Sequence, residues 1–402
     1  HYTLRAYPNN PLLLCRTISC DIRRNRRSPC PGKAPTDFTC SRDEVRTARN
    51  GEVIGIGDGV TEFKINDRVA CGGGNYACHA DIVCVPKNLC VRLPDKVMYE
   101  EASFTTLGAI ALQGIRRAVL SSGESVAVVG LGLIGQLTCQ LLKAYGYPVI
   151  GIDVDAVRIE EATKQGLEFG CTPENAKQLI KNFTNGRGVD AVIITAATQS
   201  NSPVELAGEI LRQGGRVSAV GDVAMNIPRR TYYQKELDFR ISCSYGPGRY
   251  DSNYEEKGHD YPVGQVRWTE QRNMEEIVRL LSKGSLKVSP LITQIFPIEQ
   301  AHLAYELILE NPDKKKIIAV LFSYDLASQP VETMRFIVKQ SLSSVKQVRI
   351  GLIGAGNFAQ NIIVPSLKKI TNARIVAVCD ARGIHAKKII DVHVRRLYWV
   401  KK

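Results

Sequence analysis

The rhythm of hydrophobic and polar positions changes several times along the chain. From Gly51 to Gly74, GEVIGIGDGVTEFKINDRVACGGG alternates β-branched residues with glycine turns, as short strands of a small β-barrel do. HADIVCVPKNLCVRLP (His79–Pro94) adds two more short strands. Residues 100–122 predict a helix. VDAVIITAA (Val189–Ala197) is apolar throughout, as a parallel strand covered on both faces should be, and GGRVSAVG (Gly214–Gly221) is another. Asn273–Leu286 and Pro297–Glu310 predict amphipathic helices, and KKIIAVLF (Lys315–Phe322) a closing strand. Residues 324–346 read as a linker with one helix around Val331–Leu342. Residues 1–48, with RRNRR (Arg23–Arg27) and SPCPGKAP (Ser28–Pro35), carry no periodic apolar pattern and predict a basic, poorly ordered arm.

Two segments repeat one order: apolar strand, glycine turn, amphipathic helix, second strand, acid. In SVAVVGLGLIGQLTCQLLKAYGYPVIGID (Ser125–Asp153), Gly130, Gly132 and Gly135 make G-x-G-x-x-G and Asp153 closes the second strand. Gly130 permits the tight turn, Gly132 lets backbone approach a pyrophosphate, and Gly135 lets the helix pack on the sheet. Leu133 and Ile134 open the helix, whose positive end faces the phosphates. Asp153 is placed to accept hydrogen bonds from the adenosine ribose, which favours NAD and leaves NADP as the alternative. Arg158, one turn on, is placed to stack on adenine or touch a phosphate. Ala196 and Gly221, at the ends of the two later strands, complete this expected cofactor set. In VRIGLIGAGNFAQNIIVPSLKKITNARIVAVCD (Val348–Asp380), Gly354, Gly356 and Ala359 make G-x-G-x-x-A and Asp380 is the acid. Only 22 residues follow, so this second unit is expected to be incomplete.

The net charge of +13 invites a nucleic-acid reading, but its placement argues against one. Residues 1–50 carry about +6 and residues 383–402 about +5, and neither tail shows a stacking or recognition module. No apolar run reaches the roughly 18–20 residues of a membrane span. The twelve cysteines show no C-x-x-C spacing: Cys15, Cys20, Cys30 and Cys40 are irregular, and Cys71, Cys78, Cys84 and Cys90 lie in strand-like sequence. They read as free, mostly buried thiols in a reducing cytoplasm. The chain opens on His1, with no secretory signal evident, and reads as a fragment.

GEVIGIGDGVTEFKINDRVA, followed by VAVVGLGLIGQL, GGRVSAVGD and KKIIAVLF, resembles the medium-chain dehydrogenase/reductase superfamily over residues 51–323. Its signature "G-x-V-x-x-V-G-x-x-V-x-x-F-x-x-G-D-R-V" is met with Asn66 in place of a glycine. GLIGAGNFAQNIIVPSLKKI (Gly351–Ile370) is similar to the start of the Gfo/Idh/MocA oxidoreductases. The two together, with GRYDSNYEEKGHDYP (Gly248–Pro262), resemble bi-domain oxidoreductases. The resemblance implies an α/β chain: a partial GroES-like β-barrel (49–122) and a doubly wound Rossmann parallel sheet (123–323). A second, incomplete Rossmann unit (347–402) follows. It also implies a homodimer built through the nucleotide domain's edge strand. Zinc-dependent members need a cysteine in the barrel's N-terminal half, a Gly-His-Glu segment, and a cysteine falling here at about Gly108. These are missing, as is the four-cysteine structural lobe, so zinc is not expected.

Without zinc, side chains must orient the substrate and stabilise charge on its oxygen. Tyr76 and His79 are the first candidates, where the barrel should turn toward the nucleotide domain; His79 would shuttle a proton near neutral pH, or simply bond to backbone. Tyr245 and Arg249 are the second, in a donor-rich loop with Tyr250, Tyr254 and His259; Arg249 would clamp an anion, or the loop would be a solvated insertion. The reaction expected is hydride transfer between nicotinamide and an alcohol or carbonyl of a small molecule, a sugar derivative by resemblance. The alternatives are a zinc-free quinone or enone reductase, and a nucleotide-binding fragment without turnover.

Overall fold

The computed structural model describes residues 12–22, 49–57, 59–74, 76–309, 317–325, 348–356, 358–379 and 389. Described residues up to Asp325 form one unit and those from Val348 a second.

In the first unit, a mixed, mainly antiparallel sheet gathers seven strands. These are β1 (Leu12–Ile22), β2 (Arg49–Ile56), β3 (Arg68–Cys71), β4 (Ile82–Pro86), β5 (Cys90–Arg92), β12 (Ile292–Pro297) and β13 (Ala319–Ser323). The order is β12-β13-β1-β2-β3-β5, with β4 also on β1. Two expectations are corrected here. Leu12–Ile22 is not part of an unstructured arm: β1 pairs with β2, β4 and β13 and buries Leu12, Leu13 and Cys15. Its partners all lie far along the chain, so local periodicity could not show it. Likewise β12 and β13 do not close the nucleotide-binding sheet within 123–323. They join the sheet of β1, with Ile22 opposite Val320. An apolar strand pattern says that a segment is covered, not which sheet covers it.

The expected helix over 100–122 is two. Helix α1 (Tyr99–Ala102) ends where the Asn50 amide donates to the Tyr99 carbonyl (2.7 Å) and the Ser103 hydroxyl (2.8 Å), and α2 (Thr105–Arg117) follows. Every residue of α2 from Thr105 to Ile115 is buried, against α3 (Leu133–Ala144) and α9 (Glu270–Ser282) among others. An apolar surface all round is what such a helix requires.

The second sheet is wholly parallel: β6 (Val126–Val129), β7 (Val149–Ile152), β8 (Phe169–Cys171), β9 (Val189–Ile194), β10 (Leu211–Ala219) and β11 (Asp238–Ile241). Its order, β11-β10-β9-β6-β7-β8, is doubly wound. The chain first winds outward through β7 and β8, then returns to the other side of β6 with β9. The junction of β6 and β9 is therefore the switch point, where ligands of such sheets bind outside the carboxyl ends. The α/β fold, with a Rossmann-like parallel sheet and a separate, mainly antiparallel sheet, stands as expected.

The second unit pairs β14 (Val348–Ile353) with β15 (Ala373–Cys379) in parallel. Between them a π-helical turn (Ala359–Ile363) leads into a short α-helix (Val364–Lys368). Ala355, Val364, Ile375, Val378 and Ile389 make its small core, while Ile353 is 90% exposed. Asp380 and the expected linker helix lie outside the described residues. Among the described residues no helix is long and apolar enough to cross a membrane.

Candidate active site

The glycine turn sits at the switch point. Gly130 leaves β6 at φ +100°, and its N–H donates to the Ile152 carbonyl at 2.7 Å. A Cβ there would lie 2.5 Å from the Ala196 nitrogen. A Cβ on Gly135 would overlap the Gly130 carbonyl oxygen, so this glycine sets the closeness of α3 to the turn. Gly132 differs. Its backbone (φ −67°, ψ −171°) suits any residue, and a Cβ would meet only Arg158 Nη1, at 4.0 Å. The fold does not need a glycine at 132; the space in front of α3 does. There Leu133, Ile134 and Gly135 present N–H groups that the helix itself leaves without partners. Ala196 and Gly221 lie past the carboxyl ends of β9 and β10 on the same edge, and a Cβ on Gly221 would overlap the Ala196 carbonyl oxygen. The residues of the first fingerprint thus converge, and they fit a dinucleotide's pyrophosphate.

Asp153 holds a more internal position than a ribose acceptor alone. It is 5% exposed; Oδ2 accepts from the Leu131 N–H (2.6 Å) and Oδ1 from the Asp155 N–H (2.9 Å). The carboxylate therefore braces the glycine turn itself. Arg158 is not extended over open space: it lies 3.7 Å from Asp153 and, through Nε, 3.7 Å from Asp155. Gln136 ties the same corner by donating to the Leu131 and Arg158 carbonyls.

The expected catalytic residues separate into two groups. Tyr76 faces the 244–262 loop, where burial first and then the charges of Glu256 and Glu255 push its hydroxyl above the ordinary value. Asn88 donates to the Tyr254 carbonyl at 2.9 Å and binds the barrel to that loop. The loop is not a solvated insertion: Tyr245 and Tyr254 are fully buried, and Asn273 of α9 holds the Tyr245 carbonyl at 2.8 Å. Nor is Arg249 an open anion clamp, because Nη1 pairs with buried Glu255 at 2.7 Å. Glu270, at the start of α9, has its carboxyl pushed well up by burial and by the Glu255 charge. His79 points elsewhere, edge-on to Phe322 with ring centroids 5.3 Å apart. Burial, then the Arg49 charge, lowers it to about 4, which removes it as a proton shuttle near neutral pH.

Sequence reasoning passed over several groups. The Thr105 and Thr106 hydroxyls at the start of α2 are buried without hydrogen-bond partners, and Thr106 Oγ1 lies 3.2 Å from where a Gly72 Cβ would stand. No motif marks them. Cys15, Cys71 and Cys90 meet in the barrel although their spacing carries no signal. Gly108 faces Ile277, whose side chain would stand 2.9 Å from an added Cβ. Gly108, near which the resemblance puts an expected zinc ligand, is thus packed against Ile277 and offers no side chain to a metal. In the second unit, a Cβ on Gly354 (φ +90°) or Gly356 would meet nothing within 4 Å, and Ala359 is buried in the π-helical turn. That turn is open.

Residues 134–256 match the family model described as zinc-binding dehydrogenase. D-xylulose reductase A of Aspergillus oryzae is 26% identical over 306 residues, covering 67% of this chain and 78% of that protein. D-guloside 3-dehydrogenase of Shigella flexneri is 27% identical over 305 residues, covering 73% and 82%. An alcohol dehydrogenase from Escherichia coli CFT073, solved with the cofactor NADH, superposes with a TM-score of 0.60 at 18% identity, covering 79% of this chain and 93% of that one. By its matched segment and named relatives the chain is similar to alcohol dehydrogenase-like, zinc-binding medium-chain dehydrogenases, and the solved structure shares its fold.

Proposed function

We propose that the chain is an NAD(P)-linked oxidoreductase that interconverts a hydroxyl and a carbonyl of a polyol or sugar derivative, with no zinc at the reacting oxygen. The observation that carries it is the open cradle at Gly132, placed at the switch point in front of α3. Nicotinamide, when bound, supplies the hydride chemistry. The chain's own residues bind and orient. The α3 N-terminus receives the pyrophosphate, and Asp153, fixed by the Leu131 and Asp155 N–H groups, keeps lone pairs for ribose hydroxyls while repelling a 2′-phosphate. NAD is accordingly preferred over NADP.

Tyr76 is the donor proposed for the substrate oxygen, because it is only half-buried, faces the 244–262 loop, and carries a phenol that is protonated at neutral pH. Tyr245 and the Arg249–Glu255 pair hold the loop beside it. The sugar class is supported by the relatives named as a xylulose reductase and a guloside dehydrogenase. The absence of a catalytic zinc is supported by the packing of Gly108 on Ile277. A cytoplasmic homodimer acting on a small molecule, without nucleic acid or membrane, completes the reading, and Val348–Cys379 would open a second, Gfo/Idh/MocA-like unit.

The test is calorimetric titration of NAD+ and NADP+, followed by a screen of pentitols, hexitols and glycosides with NAD+ in the presence of a chelator. Saturable NAD+ binding and turnover of a polyol or glycoside are expected. Binding without any turnover would leave a nucleotide-binding protein, and turnover restored only by added zinc would overturn the zinc-free part.

A further inference from the structure

Three strands of the first sheet each contribute one cysteine to the same interior point. Cys71 of β3 and Cys90 of β5 are direct cross-strand partners, with sulfurs 3.6 Å apart. Cys15 of β1 reaches Cys71 at 3.9 Å, and the three sulfurs all lie within 4.8 Å of one another. All are free thiols, at 2%, 1% and 0% exposure. A thiolate-bound zinc-class ion sits about 2.3 Å from each sulfur, which requires sulfurs about 3.8–4.0 Å apart. The Cys15–Cys71 separation of 3.9 Å falls in that range, and the Cys71–Cys90 separation of 3.6 Å lies just below it. Thiols are weak hydrogen-bond formers, so mutual S–H contacts alone give little reason for three to crowd together.

Charge points the same way. Arg49 of β2 stands directly opposite Cys71 in the β2–β3 ladder, which puts both side chains on one face. Arg49 is 1% exposed and donates to the Ala80 carbonyl at 2.7 Å. A buried guanidinium on the same face as the thiols favours the anionic form of the sulfurs, the form that binds metal.

We propose that Cys15, Cys71 and Cys90 form a three-thiolate site for a divalent thiophilic cation of the zinc class. It lies in the barrel, apart from Gly108 and from the nucleotide cradle. Loading converts three S–H bonds into three metal–sulfur bonds and releases three protons to solvent, with no change of oxidation state. Among the described residues no fourth histidine, cysteine or carboxylate joins the cluster. The role that follows is a cross-link of β1, β3 and β5.

The test uses the full, reduced chain loaded with Cd2+ or Zn2+ alone and then dialysed. One metal per chain is expected, with a thiolate-to-metal charge-transfer band for Cd2+. Cys90→Ser should weaken metal binding by at least about tenfold and abolish the band, with NAD+ affinity unchanged. Cys171→Ser, in the parallel sheet, should keep both. X-ray absorption on the loaded wild-type chain should give three sulfur neighbours, which keeps the test decisive if Cys90→Ser fails to fold. Absence of retained metal in a chain whose thiols titrate as reduced would overturn the proposal. So would a band that survives in a folded Cys90→Ser.

Discussion

Gly132→Val separates what the glycine turn does for the fold from what it does for the ligand. The backbone at 132 is extended (φ −67°, ψ −171°), and the nearest atom to an added Cβ is Arg158 Nη1 at 4.0 Å. A side chain there removes unfolded-state entropy without strain, a gain of about 0.4–1 kcal/mol for a Gly→Ala change at a compatible site. The melting temperature should therefore hold within about 2–4 °C. The same side chain fills the space in front of α3. A pyrophosphate pushed off the helix N-terminus loses charge-assisted hydrogen bonds worth about 1.5–3 kcal/mol each. Losing one raises the NAD+ Kd by about 10- to 150-fold. Gly135→Val is the contrast: its Cβ overlaps the Gly130 carbonyl oxygen, so it should lose the fold itself. Calorimetric NAD+ titration beside thermal melts reads both quantities. A Gly132→Val protein that melts like wild type and binds NAD+ with the wild-type Kd would refute the placement of the nucleotide.

Three further outcomes are expected. His79 is neutral in the folded chain down to about pH 4, against 6.5 when unfolded, so the unfolded state binds the extra proton as pH falls. Stability is complete above pH 6.5 and declines toward pH 4, and His79→Phe should lose less between pH 7 and 5 in urea melts; equal losses would count against the burial argument. Arg249→Ala leaves Glu255 buried without its partner, beside a Glu270 already strained by burial, and should cost about 3–5 kcal/mol, partly recovered by adding Glu255→Gln. Unchanged stability with lost substrate affinity would return Arg249 to the role of an anion clamp. Amides of Val348–Cys379, in a two-stranded sheet with Ile353 90% exposed, should exchange hydrogen faster than those of Val126–Ile152; equal protection would show the second unit to be as well supported as the first.

Local pattern was enough for the first nucleotide fingerprint. Gly130, Gly132 and Gly135 follow one another within one strand–turn–helix, and the apolar run 189–197 declares a strand covered on both faces. Those signals are short in range, so the chain displays them directly. Decisions made between distant segments were not legible. Leu12–Ile22 became a central strand because three remote strands satisfy its backbone. The closing strand went to the barrel, where β1 and β12 pair with it on either side. Asp153 turned inward because the N–H groups of Leu131 and Asp155 reach its oxygens, and Arg249 pairs with Glu255. The Cys15, Cys71 and Cys90 thiols lie up to 75 positions apart in the chain and within 4.8 Å in space. Sequence alone determined which residues could turn, cover or bind, since those are properties of a few neighbouring residues. Only the tertiary structure decided which partner each polar and thiol group met, since a buried group must take the nearest compatible one that long-range packing supplies.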